Sequence, residues 1–422
     1  MGLPAFLGLL EDAKPALCAN FADGLNSEVA AKAVALKVLN LCLAKYHFCA
    51  RSVAVLSRPL GLVVDPINNC NLACPGCVHS ARSRSEKLFQ WPSGMFSEDC
   101  FGHLMRRYGP WALEIMFCNY GEPLLNPNTP RFIARARSYL MRTGLSTNMT
   151  AKKFDAEAYV ESGLDFMTVS LDGATQATYE RYRRDGDLEQ AFANIRALVA
   201  AKRERGKENP IISWQFLVFE HNAHEIEMAI AMARELGIDQ FVVAMPFDVS
   251  WDDPSIRPAW SVEPRTIHLR GNPEPRMIAN FNPVGLAETA IEEAWAAGFG
   301  AASVTGAASE HSCQWLYRNM VLDATGRVLP CCAAPKPGFE LVFDRFTGAG
   351  GDSFNSPKYQ AARQWFSDRS RYEAGADGDP YCVRCEWNQD TAHTDGAQVD
   401  QYFKTVPHGL FGDTARRLLA WD

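Results

Sequence analysis

The chain has no excess of basic charge: 42 Lys and Arg stand against 49 Asp and Glu, a formal net of −7. That argues against nonspecific nucleic-acid binding, which needs a basic surface, and leaves room for a small anionic substrate held by local arginines. No apolar run is long enough to span a bilayer, so stable membrane insertion is not expected. The start, MGLPAFLGLLEDAKP, lacks a basic segment and turns acidic at once, which speaks against a secretory leader. The 13 cysteines do not read as an even disulfide framework; most fall in small groups with metal-ligand spacing. A reducing, cytoplasmic setting is therefore expected. What is present is an ordinary apolar fraction, 47% of 422 residues, enough for one large α/β domain and a smaller one.

One short loop carries the strongest signal. Asp65 to Ser80 reads DPINNCNLACPGCVHS, which spaces Cys70, Cys74 and Cys77 as C-x3-C-x2-C directly after the apolar, β-prone run Gly61 to Val64. Three thiolates are one fewer than the usual set for a four-iron cluster. One iron is left for another ligand, as a catalytic zinc keeps an open position. The same residues admit two plainer readings: thiols packed as small hydrophobes, or structural zinc with His79 as the fourth ligand.

The loop resembles that of the radical S-adenosylmethionine (radical SAM) superfamily. The resemblance implies that SAM chelates the open iron of a 4Fe–4S cluster through its amino and carboxylate groups. One electron from the cluster then cleaves SAM to methionine and a 5′-deoxyadenosyl radical. It also implies an electron donor of the reduced flavodoxin or ferredoxin type.

From residue 61 to about 246, β-like runs alternate with helical patterns, which predicts βα units and a parallel sheet. Strands are expected at 61–66, 112–119, 143–148, 165–171, 211–219 and 240–246. Helices are expected near 97–108, 129–141, 154–162, 187–204 and 223–236. Six units are too few for a closed eightfold barrel. They fit the partial (β/α)6 TIM-like barrel that the resemblance implies, with chemistry at the C-terminal strand ends. The expected organisation is an N-terminal helical segment (1–57), the barrel (58–246), a connecting segment (247–309), a small auxiliary domain (310–390) and a tail (391–422). Within the first segment, 27–50 has an amphipathic pattern, read as a helix packed on the barrel rather than on a membrane.

Four further features fall where the resemblance places SAM contacts. Gly121 and Glu122, in Asn-Tyr-Gly-Glu-Pro after the second strand, resemble the family's Gly-Glu-Pro turn: glycine permits close backbone approach, and Glu122 or a carbonyl can accept from the SAM ammonium. Asn148 ends the third strand near SAM or substrate, or closes an Asx turn. Ser170 and Asp172 belong to a Ser-Leu-Asp-Gly strand end; Ser170 would contact the SAM carboxylate or ribose, and Asp172 has a rival role as a helix N-cap. Arg183 offers a guanidinium fork to the SAM carboxylate, with Arg181 and Arg184 as rivals. Gln215, Val243 and Met245 are candidates for the adenine side. Cys118 is either a core thiol or a hydrogen-atom donor. No catalytic acid or base is assigned; Glu220, His221 and Asp248 qualify by position alone.

A second cysteine set lies towards the C-terminus. Cys313 and Cys331 flank a predicted hairpin with its turn at Asp323 to Gly326, and Cys382 and Cys385 follow as C-x2-C. The pattern resembles the opening of a SPASM domain or the shorter twitch domain. It departs from the full seven-cysteine SPASM set, because no cysteine follows Cys385. One auxiliary 4Fe–4S cluster on Cys313, Cys331, Cys382 and Cys385 is implied, with Cys332 spare; a zinc ribbon is the rival. With four cysteine ligands it has no open iron, so its expected role is electron transfer. The reading is a radical SAM oxidoreductase acting on a small metabolite. A peptide maturase of the SPASM type is the alternative, and a zinc-stabilised binding protein the alternative of another class.

Overall fold

The computed structural model describes helical residues 37, 40, 43, 44, 47 and 48, then 51–89, 91–246, 252–270, 313–332, 342–348, 350–368 and 380–385, with isolated positions at 370 and 372. Asp248, most of the connecting segment and the tail 391–422 lie outside the described residues, as do Cys18, Cys42 and Cys49.

The six expected strands are all present, and all parallel: β1 (Gly61–Val64), β2 (Glu114–Phe117), β3 (Arg142–Thr147), β4 (Phe166–Ser170), β5 (Ile211–Leu217) and β6 (Gln240–Ala244). They lie side by side in chain order, which is the wall of a partial barrel. The five expected helices fall outside this wall at Glu98–Tyr108, Thr129–Ser138, Ala156–Glu161, Leu188–Glu204 and Ile226–Leu236. Their starts are set locally. Ser97 accepts from the Cys100 amide at 3.1 Å, and Asp187 from the Gln190 amide at 3.0 Å. Gly237, at φ 78°, takes the left-handed conformation that ends the last of them.

Two features of the sheet were not foreseen. Part of the connecting segment returns as β7 (Arg265–His268), antiparallel on β6. The C-terminal hairpin, β8 (Asn319–Leu322) and β9 (Arg327–Leu329), turns where expected, but β8 pairs in parallel with β1, with Gly61 opposite Asn319. A short β10 (Asp344–Arg345) follows on β9, giving the order β10-β9-β8-β1-β2-β3-β4-β5-β6-β7. The hairpin is thus an extension of the barrel wall. Both sides of β8 offer what β1 needs, since Met320, Val321 and Leu322 are all buried.

The core fills the space between sheet and helices. Phe101 stacks on Phe132 with centroids 4.5 Å apart, and the Trp214 indole, fully buried, donates to the Leu171 carbonyl at 2.7 Å. The described residues of the N-terminal helix close the opposite end. Asn40 Nδ2 donates to the Arg58 and Trp111 carbonyls, and Lys37 Nζ donates to the Gly109 and Ala112 carbonyls. Burial pushes the Lys37 amine down to about 7. Of the helix expected over 27–50, the described residues 37, 40, 43, 44, 47 and 48 are helical and buried, and the others lie outside the described residues. Among the described residues no helix is long and apolar enough to cross a membrane.

Candidate metal centre

The cysteine loop leaves β1 at Val64 and lies across the C-terminal strand ends. Each of its three sulfurs meets an N–H group. Cys70 Sγ accepts from the Leu72 amide at 3.4 Å and stands 3.6 Å from Asn148 Nδ2. Cys74 Sγ lies 4.0 Å from Arg183 Nη1, and Cys77 takes the His79 amide. The three side chains pack with Leu72, Tyr182, Phe219 and Ile256. Burial pushes all three thiols up, Cys77 to about 12. Donors aimed at buried sulfur favour the thiolate that a metal requires, so this donor set fits a cluster with three cysteine ligands. Among the described residues no three His, Cys, Asp or Glu side chains crowd one point closely enough to hold a single ion. A cluster, which spreads its thiolates over separate irons, makes no such demand.

The loop is anchored by residues that sequence reasoning passed over. Asp65, fully buried, accepts the amides of Asn119, Tyr120 and Gly121 at 2.6, 3.0 and 3.0 Å. This fan ends β2 at Phe117, two residues short of the expected strand. Burial pushes the Asp65 carboxyl up to about 7, and the three amides oppose the shift. Asn68 ties the loop to the hairpin, accepting from the Ala324 amide at 2.7 Å and donating to the Pro92 carbonyl at 2.9 Å. The signal was an acid at a strand end beside consecutive turn amides, but which amides it would meet is a matter of the parallel pairing of β1 and β2.

The proposed SAM residues gather at the same mouth. Glu122 is buried, with Oε1 accepting from the Leu124 amide (3.0 Å) and Thr147 Oγ1 (2.6 Å), and Oε2 from the Asn148 amide (2.8 Å). It therefore clamps the end of β2 to the end of β3; burial pushes its carboxyl up and these donors oppose it. Asn148 closes an Asx turn through Oδ1, which accepts the Thr150 amide, while its Nδ2 serves Asn71 Oδ1 at 3.0 Å and faces Cys70. The Asx-turn reading of Asn148 is the one the hydrogen bonds show. Ser170 ends β4 opposite Gln215 of β5.

Asp172 does not cap the following helix, Gln176–Tyr182: Thr175 does, accepting from the Thr178 amide. Asp172 is instead fully buried, takes the Leu217 amide at 2.7 Å and pairs with Arg183 Nε at 2.5 Å. Burial pushes its carboxyl up, and Arg183 opposes the shift. Of Arg183's rivals, Arg181 is exposed and Arg184 pairs with Asp253. Val243 is buried in the core, and Met245 lies just past β6.

Residues 252–259 form a strap over the loop. Asp252 Oδ2 accepts the Gly76 amide at 3.3 Å, Ile256 packs on the cysteines, and the Glu220 amide donates to the Arg257 carbonyl at 2.9 Å. Several buried polar atoms on this side have no hydrogen-bond partner: His79 Nε2, Trp91 Nε1, both side-chain atoms of Asn119, His221 Nε2 and Asp252 Oδ1. Orphaned buried atoms mark places where a ligand's polar groups can bond. His221 stacks on Phe219, 5.4 Å between centroids, and burial pushes its imidazole down to about 4. Cys118 Sγ lies 3.5 Å from the Gly121 carbonyl.

In the second cysteine set, burial pushes the Cys382 thiol up. The buried thiol of Cys382 lies within electrostatic reach of Cys313, Cys331 and Cys385, whereas Cys332 is exposed. The Tyr120 phenol lies within the same reach of Cys77 of the first set, of Cys331 of the second and of the spare Cys332. Its ring meets the Trp91 ring edge-on at 5.7 Å.

The family model described as the radical SAM superfamily matches residues 64–212, which begin at the end of β1 and run to the start of β5. Curated relatives point the same way. The GTP 3′,8-cyclase of Hydrogenovibrio crunogenus is 26% identical over 192 residues, 44% of this chain and 54% of that protein. The PqqA peptide cyclase of Gluconobacter oxydans is 26% identical over 196 residues, 46% of this chain and 51% of that protein. The family model and these relatives together support the radical SAM superfamily, a superfamily whose members here are enzymes. The chain spans about half the length of the curated relatives it matches. Among solved structures, Streptococcus suis SuiB bound to S-adenosylmethionine is similar with a TM-score of 0.47 and 14% identity, over 86% of this chain and 76% of that one.

Proposed function

We propose that the protein is a radical SAM enzyme that abstracts hydrogen from a small metabolite, with an auxiliary iron–sulfur cluster on Cys313, Cys331, Cys382 and Cys385. The observation that carries this is the loop of Cys70, Cys74 and Cys77, with an N–H group at every sulfur. When bound, a 4Fe–4S cluster with SAM on its open iron supplies one-electron cleavage of SAM and the resulting deoxyadenosyl radical.

The chain's own residues do the rest. Asp65 and Asn68 fix the loop against the sheet and hairpin. Glu122 and Asn148 shape the wall on the β2 and β3 side, with Gly121 and Ser170 proposed along the SAM surface. The 252–259 strap, through Ile256, and the aromatic pair Tyr182 and Phe219, 4.5 Å apart, pack against the cysteines. Such a site works mainly by positioning, because the cofactor supplies the difficult chemistry. The orphaned atoms of Asn119, His79 and His221 are the proposed polar contacts for substrate or SAM. The auxiliary cluster would move an electron to or from the reaction, and reduced flavodoxin or ferredoxin would supply the first one.

A peptide substrate is the second reading, favoured by the likeness to a PqqA peptide cyclase. The test is iron, acid-labile sulfide and SAM cleavage in anaerobically prepared protein, beside a Cys70/Cys74/Cys77→Ala variant. About eight irons falling to about four in the variant, with cleavage lost, supports two clusters. Zinc without iron, or iron indifferent to the triple change, moves the protein to the class of zinc-stabilised binders.

A further inference from the structure

Arg183 is held on three sides. Its Nε meets Asp172 at 2.5 Å, its Cζ lies 5.2 Å from the Tyr182 ring centroid, and its Nη1 stands 4.0 Å from Cys74 Sγ. Asp172 is itself fixed: it is fully buried and receives the Leu217 amide from β5. The Arg183 side chain is only 14% exposed, so water screens its charge poorly. The other donors to the cysteine sulfurs described above are neutral: the Leu72 and His79 amides and the Asn148 carboxamide. Arg183 is the charged one.

We infer that Arg183, oriented by Asp172, sets the reduction potential of the cluster held by Cys70, Cys74 and Cys77. The inference rests on the radical SAM reading of that loop and gives Arg183 a task before any SAM arrives. The step concerned is uptake of one electron from dithionite through viologen mediators; no bond forms or breaks. A fixed cation beside the cysteines favours the more negative, reduced form, and the Asp172 carboxylate opposes it. The two residues therefore act on the potential with opposite signs, which a purely structural pair would not do.

The experiment is an EPR-monitored redox titration of the full iron-loaded chain without SAM. It follows the signal that the Cys70/Cys74/Cys77→Ala variant lacks. Arg183→Gln is expected to cut the reduced-to-oxidised ratio at fixed potential about tenfold, equivalent to about 59 mV for one electron. Asp172→Asn is expected to move the midpoint upward, and Arg183→Lys to recover most of the loss. Unchanged midpoints in Arg183→Gln and Asp172→Asn, with iron retained, overturn the inference and leave the radical SAM reading standing. Shifts of the same sign in both also overturn it, as general loosening of the loop. If Arg183→Gln holds no iron, Asp172→Asn decides: an upward shift supports the inference, and none or a downward one overturns it. A parent protein without iron sinks the underlying reading instead.

Discussion

Gly121 lies so close to Ile67 that a Cβ placed on it would meet the Ile67 carbonyl oxygen at 1.6 Å. The glycine is required here by the cysteine loop, whose backbone passes directly beneath the turn after β2. Gly121→Ala is expected to displace the loop or the turn and cost about 1–3 kcal/mol, as overpacking does. Iron per chain should fall while far-UV circular dichroism retains the α/β signature. Full iron content in this variant would show that the loop tolerates the shift.

The proposed auxiliary cluster on Cys313, Cys331, Cys382 and Cys385, whose charges act on one another at Cys382, leads to a second expectation. Cys382→Ala should lower iron by about four atoms per chain and leave SAM cleavage by the first cluster measurable. Cys332→Ala, at the exposed neighbour, should leave iron unchanged. Loss of iron in Cys332→Ala but not in a Cys331→Ala partner would exchange their roles.

Tyr120 lies within electrostatic reach of both cysteine sets, and its hydroxyl stands 3.4 Å from the Cys332 carbonyl. Burial pushes its phenol far up, so the ring stays neutral and acts as a wall rather than an acid. With both clusters present, Tyr120→Leu is expected to change the magnetic interaction between them, read as EPR relaxation. Tyr120→Phe, which keeps the ring and its contact with Trp91, should behave as the parent. Identical relaxation in all three would reduce Tyr120 to a packing residue.

Lys37 gives a pH prediction whose sign is fixed. Its amine is pushed from 10.5 to about 7 by burial. Between those values the unfolded chain binds a proton that the folded chain does not. Stability therefore rises with pH across that window and is lost as pH falls towards about 7. Relative to Lys37→Met, the parent should gain about 1.4 kcal/mol between about pH 7.5 and about pH 8.5, read by urea unfolding. Parallel pH profiles for the two proteins would mean that the amine stays charged in its site.

The barrel was legible because its signals are local. Alternating apolar runs mark β1 to β6, and caps such as Ser97 and Asp187 mark helix starts. The hairpin turn at Asp323 to Gly326 was equally plain, and Gly326 takes φ 81° there. Pairing partners were less so. That β8 lies in parallel beside β1, and that β7 closes the other edge, joins residues far apart in the chain, and no local pattern encodes it.

The candidate site divides in the same way. Sequence by itself determined the cysteine spacing, the glycine at position 121 and the residue types around the mouth, because ligand number and backbone freedom are properties of neighbouring residues. Only the tertiary structure decided what each carboxylate does. Asp65 holds turn amides, Glu122 clamps β2 to β3, and Asp172 turns from a possible cap into the partner of Arg183. A buried carboxylate must find donors, and which donors stand within 3 Å of it is fixed by strand register and helix placement, not by its neighbours in the chain.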